Sequence, residues 1–263
     1  MKFFTTILLI ALSFLSCNSQ TFKVYIGGTD IYCTILDKIE KTCMISSNRD
    51  LSPSYYRELD LPSTVEYENT TYTVVAIGKG AFAHDNIKKI ELPNTLISIG
   101  DSAFCSCSKL HTITIPKNVT FIGNKAFEDC SLLSYVNLPD ATTHIGNRAF
   151  SNCKFLEYIR LSNAIDTIRY ETFLNCHDLQ AINLPNGLKY LGKSAFSGCS
   201  SLTSIIMPNS LTNVDTSAFN SCISMSSITF SNSLTCIGDS VFIFCIYNHR
   251  TTKTNQKYPS VNL

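Results

Sequence analysis

Ala195–Pro208 reads AFSGCSSLTSIIMP, and its parts return every 23 residues. Phe104, Phe127, Phe150, Phe173, Phe196, Phe219 and Phe242 share that spacing, with Phe82 one residue short of it. A cysteine follows three places after each of the seven: Cys107, Cys130, Cys153, Cys176, Cys199, Cys222 and Cys245. Leu110, Leu133, Leu156, Leu179, Leu202 and Met225 lie three further on. Then come Ile113, Val136, Ile159, Ile182, Ile205 and Ile228, and two later Ile115, Leu138, Leu161, Leu184, Met207 and Phe230. Proline closes five units, at Pro93, Pro116, Pro139, Pro185 and Pro208, with Ser162 and Ser231 in its place elsewhere. A fixed period of this length is the mark of a repeat architecture.

Each unit has the same internal logic. LHTITIP alternates apolar and polar residues with period two, as a half-buried strand does. Proline then ends the strand, because it cannot donate to a ladder. GDSAFCSC (Gly100–Cys107) suits a tight turn into a short helical turn. Ile-Gly precedes the phenylalanine by five, as in Ile122-Gly123, and Arg169 and Asp215 interrupt that glycine column. No unit can bury its own apolar side chains, but stacked units can, each touching only its neighbours. The expected fold is a repeat solenoid, a right-handed coil with one parallel β-sheet at a rise of about 4.8 Å per unit, behind a small β-rich N-terminal cap.

These columns resemble the BspA-type leucine-rich repeat, a 23-residue class with the pattern L-x-x-I-x-L-P-x-x-L-x-x-I-G-x-x-A-F-x-x-C. The resemblance covers about Val74 to Cys245, and LDLPSTVEYENTTYTVVAIGKGAF is similar to the strand-rich lead-in of that family. Arg57 stands where the family often carries glycine. The resemblance implies a leucine-rich-repeat domain and a non-enzymatic surface role in adhesion to host matrix proteins, epithelial cells or other bacteria.

Around the repeats the chain divides into a signal peptide over residues 1–17, a cap over 18–73, the repeat domain over 74–245 and a polar tail over 246–263. Lys2 precedes an apolar run, Phe3–Leu15, too short to span a bilayer, which needs about 20 residues. FLSCNS resembles a bacterial lipoprotein processing site, so Cys17 is the expected lipidated residue and the only expected link to a membrane. Asn69-Thr70-Thr71 and Asn118-Val119-Thr120 are glycosylation sequons if the source is eukaryotic. The tail IYNHRTTKTNQKYPSVNL is a poor cap, so the expected C-terminal end is frayed or shortened. The location that follows is secreted or attached to the cell surface or outer membrane.

Twelve cysteines raise the question of chemistry. The seven-residue column shares its phase with the phenylalanines, and free cysteine behaves as a small buried hydrophobe. Neighbouring units lie within the Cα range of a disulfide, roughly 4.4–6.8 Å, but parallel Cβ vectors keep Cβ atoms near 4.8 Å instead of about 3.8 Å. Free core thiols are therefore expected. Cys33 and Cys43 alternate with Ile31, Ile35 and Ile45, which leaves core packing or a disulfide open. Cys105, Cys107 and His111 have a superficially metal-like spacing, but their phases send them apart, and no metal or cofactor is expected. His84, His111, His144, His177 and His249 occupy unrelated phases, and no phosphate loop or G-x-S-x-G occurs. The chain reads as no enzyme. A net charge of +1 supplies no global field for nucleic acid.

Function is then sought on the solvent-facing strand positions. Stacking should place Tyr135 beside Tyr158, and Asn137 beside Arg160 and Asn183, with Glu157 adjoining. Tyrosine and arginine are favoured at binding hot spots, although an ordinary solvated sheet face has the same residues for propensity reasons. The expected partners are extracellular or host proteins. The alternative is a periplasmic or surface accessory protein that binds glycans or partner subunits through the same tyrosines.

Overall fold

A computed structural model describes residues 20–47 and 57–245. The expected signal peptide, the expected lipidation at Cys17 and the tail 246–263 lie outside the described residues.

The chain opens with antiparallel strands β1 (Thr21–Ile26), β2 (Thr29–Asp37) and β3 (Thr42–Ser47). Gly27 and Gly28, both at positive φ, make the first turn. Strand β4 (Arg57–Asp60) follows, then β5 (Thr64–Tyr67), which pairs antiparallel with β6 (Thr70–Ile77). Phe22 stacks on Tyr67 at 4.4 Å inside this region. Strand β6 also runs parallel to β3 and to Ser98–Ile99, so one sheet continues from the N-terminal strands into the repeats. It crosses the cap boundary read at residue 73.

The repeats stack as a β-solenoid with two columns of parallel strands. One column precedes the proline: β4, then β7 (Ile87–Glu91), Thr112–Ile113, Tyr135–Asn137 and Tyr158–Arg160, and after an interval Ser204–Ile206 and Ser227–Thr229. The other precedes the glycine: Ser98–Ile99, Phe121–Ile122 and His144–Ile145, then as a separate run Thr167–Ile168, Tyr190–Leu191, Asn213–Val214 and Cys236–Ile237. The single sheet expected from sequence is thus two ladders. The second is built from strands of two residues, too short to show a period of two.

The expected helical turn is absent, and no helix occurs among the described residues. Each turn instead carries two left-handed residues, two places before and two places after the phenylalanine. Ser102 and Ser106 are one such pair, Lys125 and Asp129 the next, Arg148 and Asn152 the third, with φ between 53° and 61°. A helix needs consecutive right-handed residues, so this alternation forbids one. It aims the backbone between coils: the N–H groups of Phe104, Phe127 and Phe150 donate to the carbonyls of Ala126, Ala149 and Thr172 at 2.8–2.9 Å. The turns therefore form a third hydrogen-bonded column.

The core lies between these columns. Phe82 through Phe219 are fully buried, and the rings from Phe82 to Phe242 stack at 5.2–5.7 Å within 10° of parallel. Each ring buries roughly 150–250 Å². The cysteine column runs beside them, fully buried from Cys107 to Cys222, as free thiols. Each thiol also has a polar task that composition does not reveal. Cys130 Sγ donates to the Phe104 carbonyl of the preceding coil at 3.1 Å, and Cys153 Sγ to that of Phe127 at 3.2 Å. The same carbonyl accepts the backbone N–H three residues on, so both its lone pairs are occupied. The glycine column packs as closely: a Cβ at Gly123 would lie 2.5 Å from the backbone nitrogen of Asp101.

Candidate binding face

The proline-side strands alternate cleanly. Val136 and Ile159 point into the core, while Tyr135 (49% exposed) and Tyr158 (39%) point outward. The parallel register sets Tyr135 opposite Tyr158 and Asn137 opposite Arg160. The tyrosine rings stack at 5.3 Å and 15°, repeating on the outside the geometry of the buried phenylalanines. Their faces shield each other, and both side chains remain partly exposed.

Arg160 is held rather than free. Its Nη2 donates to Asp140 Oδ1 at 2.6 Å, and its Nη1 to the Leu138 carbonyl at 3.0 Å and to Asn137 Oδ1 at 3.4 Å. Three acceptors on the preceding coil fix the guanidinium, which lowers the entropy lost on meeting a ligand. Glu157 is exposed beside Tyr158, and its N–H donates to the Ser134 carbonyl. Asn183 is exposed and keeps the alternation, with Ile182 and Leu184 inward, but residues 181–183 form no strand and no ladder carries them to Arg160. The structure brings together Tyr135, Asn137, Tyr158 and Arg160, and leaves Asn183 apart.

One exposed residue of this region was not singled out from sequence. Phe155 is 51% exposed, in the turn just before the Tyr158 strand. The signal lay in the column two places after the cysteine, where Leu132 and Phe155 stand against Asp178, Ser201 and Ser224. Leu132 is half-buried and precedes the Tyr135 strand as Phe155 precedes the Tyr158 strand.

The thiols offer little reactivity. Burial pushes the Cys199 thiol up to about 12, and raises those of Cys130, Cys153 and Cys176 well above the ordinary range. Cys33 and Cys43 are buried free thiols that hydrogen-bond each other, which holds the Cys33 proton firmly. Cys105, Cys107 and His111 do not converge: Cys107 faces the Phe82 carbonyl, and His111 Nδ1 lies 2.8 Å from the Lys109 carbonyl. Cys105 instead adjoins Glu128 and Asp129, their ligand atoms within 4.8 Å of one another. Glu128 there is neutralised by Arg148 at 2.7 Å and Lys125 at 3.3 Å, which disfavours a cation.

Known proteins agree with this architecture. The model of the BspA type leucine rich repeat region matches residues 75–186 and 143–259, well over half of the chain. The crystal structure of a leucine rich repeat protein from T. pallidum is 23% identical, with a TM-score of 0.60, covering 82% of this chain and 86% of that one. A leucine rich cell surface protein from Faecalibacterium prausnitzii A2-165 is 21% identical, with a TM-score of 0.57, covering 88% of this chain and 76% of that one. No curated protein matches the chain. The chain belongs to the BspA-type leucine-rich repeat family.

Proposed function

We propose that this chain is an exported or surface-attached, non-catalytic binding protein of the adhesion type, and that its partners are extracellular or host proteins. The observation that carries this reading is the Tyr135–Tyr158 stack beside the restrained Arg160 on a rigid parallel ladder. Tyrosine and arginine supply contact area and directed hydrogen bonds, and here both are ordered before a ligand arrives. The family and the similarity to a cell surface protein support the location. The low-reactivity thiols and scattered histidines support a binding role over a catalytic one.

The test is a pull-down from host extracellular-matrix extract with the mature domain, repeated with the Tyr135→Ala/Tyr158→Ala protein. Capture of a matrix protein by the wild type and its loss in the variant are expected. Unchanged capture by the variant would remove this face from the account, and a partner found only on a glycan array would favour the glycan reading.

A further inference from the structure

Glycine precedes the turn at positions 78, 100, 123, 146, 192 and 238, where the backbone of the preceding coil lies close against it. A Cβ at Gly100 would lie 2.9 Å from the Ile77 carbonyl oxygen, and one at Gly192 2.7 Å from the backbone carbon of Arg169. Two residues break the column. Asp215 keeps its ladder bond to Leu191 and is occupied by the Tyr190 hydroxyl at 2.6 Å. Arg169 differs. It stands where the glycine-side ladder is interrupted, between His144–Ile145 and Thr167–Ile168. A local rule broken at the expense of a ladder is where a functional side chain is expected.

Arg148 is paired with Glu128 and Glu171, and Arg160 with Asp140. No carboxylate within ion-pair distance is found for the half-buried Arg169 among the described residues. Its side-chain partner is His144, with Nη2 3.4 Å from Nδ1. An arginine donates and cannot accept, so this contact places the imidazole proton on Nε2 and leaves a second donor beside the guanidinium. His144 in turn stacks on Phe121 at 4.5 Å. Burial and the Arg169 charge hold His144 neutral against a weaker opposing pull from Asp101, whose Oδ1 already accepts from Asn124. Exposed Tyr170 follows Arg169 in sequence, and exposed Tyr190 occupies the neighbouring coil beyond Thr167.

We infer that Arg169 and His144 form an anion-binding site for a carboxylate-bearing saccharide chain lying along the glycine column. The guanidinium fork receives the carboxylate, and the exposed Tyr190 ring, two coils beyond His144 in the same column and with its hydroxyl donated to Asp215, offers an amphipathic surface on which a sugar ring packs. This site lies on the other ladder from Tyr135 and Tyr158, and it stands or falls separately from them.

The experiment titrates the intact protein with a hyaluronan hexasaccharide, with maltohexaose as the neutral control and decaglutamate as the acidic peptide control. Saturable binding of the hexasaccharide alone is expected, weakened about tenfold or more in Arg169→Gly and less in Arg169→Lys. Arg169→Gly restores the residue of the other coils, so it should fold, and its unfolding midpoint checks that it does. Binding should raise the His144 imidazole pKa, read by NMR, because the bound carboxylate favours imidazolium. The Tyr135→Ala/Tyr158→Ala protein should bind as wild type does. Failure of the hexasaccharide to bind, equal binding of maltohexaose, preference for decaglutamate, or undiminished binding by folded Arg169→Gly would each overturn the inference.

Discussion

Two aromatic stacks run through this molecule at nearly the same spacing. Inside, Phe127 lies 5.2 Å from Phe150; outside, Tyr135 lies 5.3 Å from Tyr158. The repeat imposes the spacing on both, so stacking alone says nothing about role. Burial separates them: Phe150 is fully enclosed, and the tyrosines are between a third and a half exposed. Removing an enclosed ring leaves a cavity the neighbouring coils cannot fill, whereas removing an exposed one leaves water. The inner column should govern stability and the outer one contact with other molecules.

The largest effect follows from breaking the inner column. Phe150→Ala should cost about 3–5 kcal/mol in urea unfolding, and stability equal to wild type would refute the proposed packing. Cys153→Ala is a smaller cut at the same layer. It removes the thiol donor to the Phe127 carbonyl and a little volume, and about 1–2 kcal/mol of destabilisation is expected, with Cys153→Ser retaining the donor. The outer pair sharpens the contrast: Tyr135→Ala/Tyr158→Ala should shift unfolding by no more than about 1 kcal/mol, the scale of a cross-strand pair. A loss matching Phe150→Ala would show that the outer stack is structural.

The smallest expected effect concerns an exposed tyrosine that is already engaged. The hydrogen bond to Asp215 pushes Tyr190 up to about 12, and the same bond lowers Asp215. The contribution of Tyr190 is therefore present below its unfolded pKa of about 10 and lost as pH rises through the folded value. That of Asp215 is present above the ordinary carboxylate range and lost as pH falls through its lowered value. Asp215→Asn should bring the Tyr190 titration back toward about 10 in ultraviolet difference spectra, and an unmoved titration would refute the pairing.

The period of Phe104 to Phe242 carried most of the architecture, because one residue type in one phase can only stack. The inward cysteines and the Tyr135–Tyr158 and Asn137–Arg160 pairs followed from that period. Other features were hidden for physical reasons. The three-residue step from phenylalanine to cysteine imitates a helical i, i+3 spacing, and Lys125, Arg148 and Glu171 carry no mark of the left-handed conformation they adopt. Asp129, Asn152, Asn175 and Gly198, on the far side of the phenylalanine, and Gly80 on the near side of Phe82, were the hints of it. The glycine-side strands escaped notice because two residues have no periodicity. Arg169 was visible as a break in the glycine column, but its approach to His144 depends on stacking geometry that no column of letters displays.

Native-state alkylation followed by mass spectrometry tests the central claim, that one phase faces the core and the other faces solvent. Cys236 is exposed on the outermost glycine-side strand, while Cys107, Cys130, Cys153, Cys176, Cys199 and Cys222 are fully buried. Cys236 should be labelled in the folded protein, and the six column cysteines should react only in denaturant, as unmodified thiols. Labelling of the six at the rate of Cys236 under native conditions, or their recovery as disulfides with one another, would contradict the account.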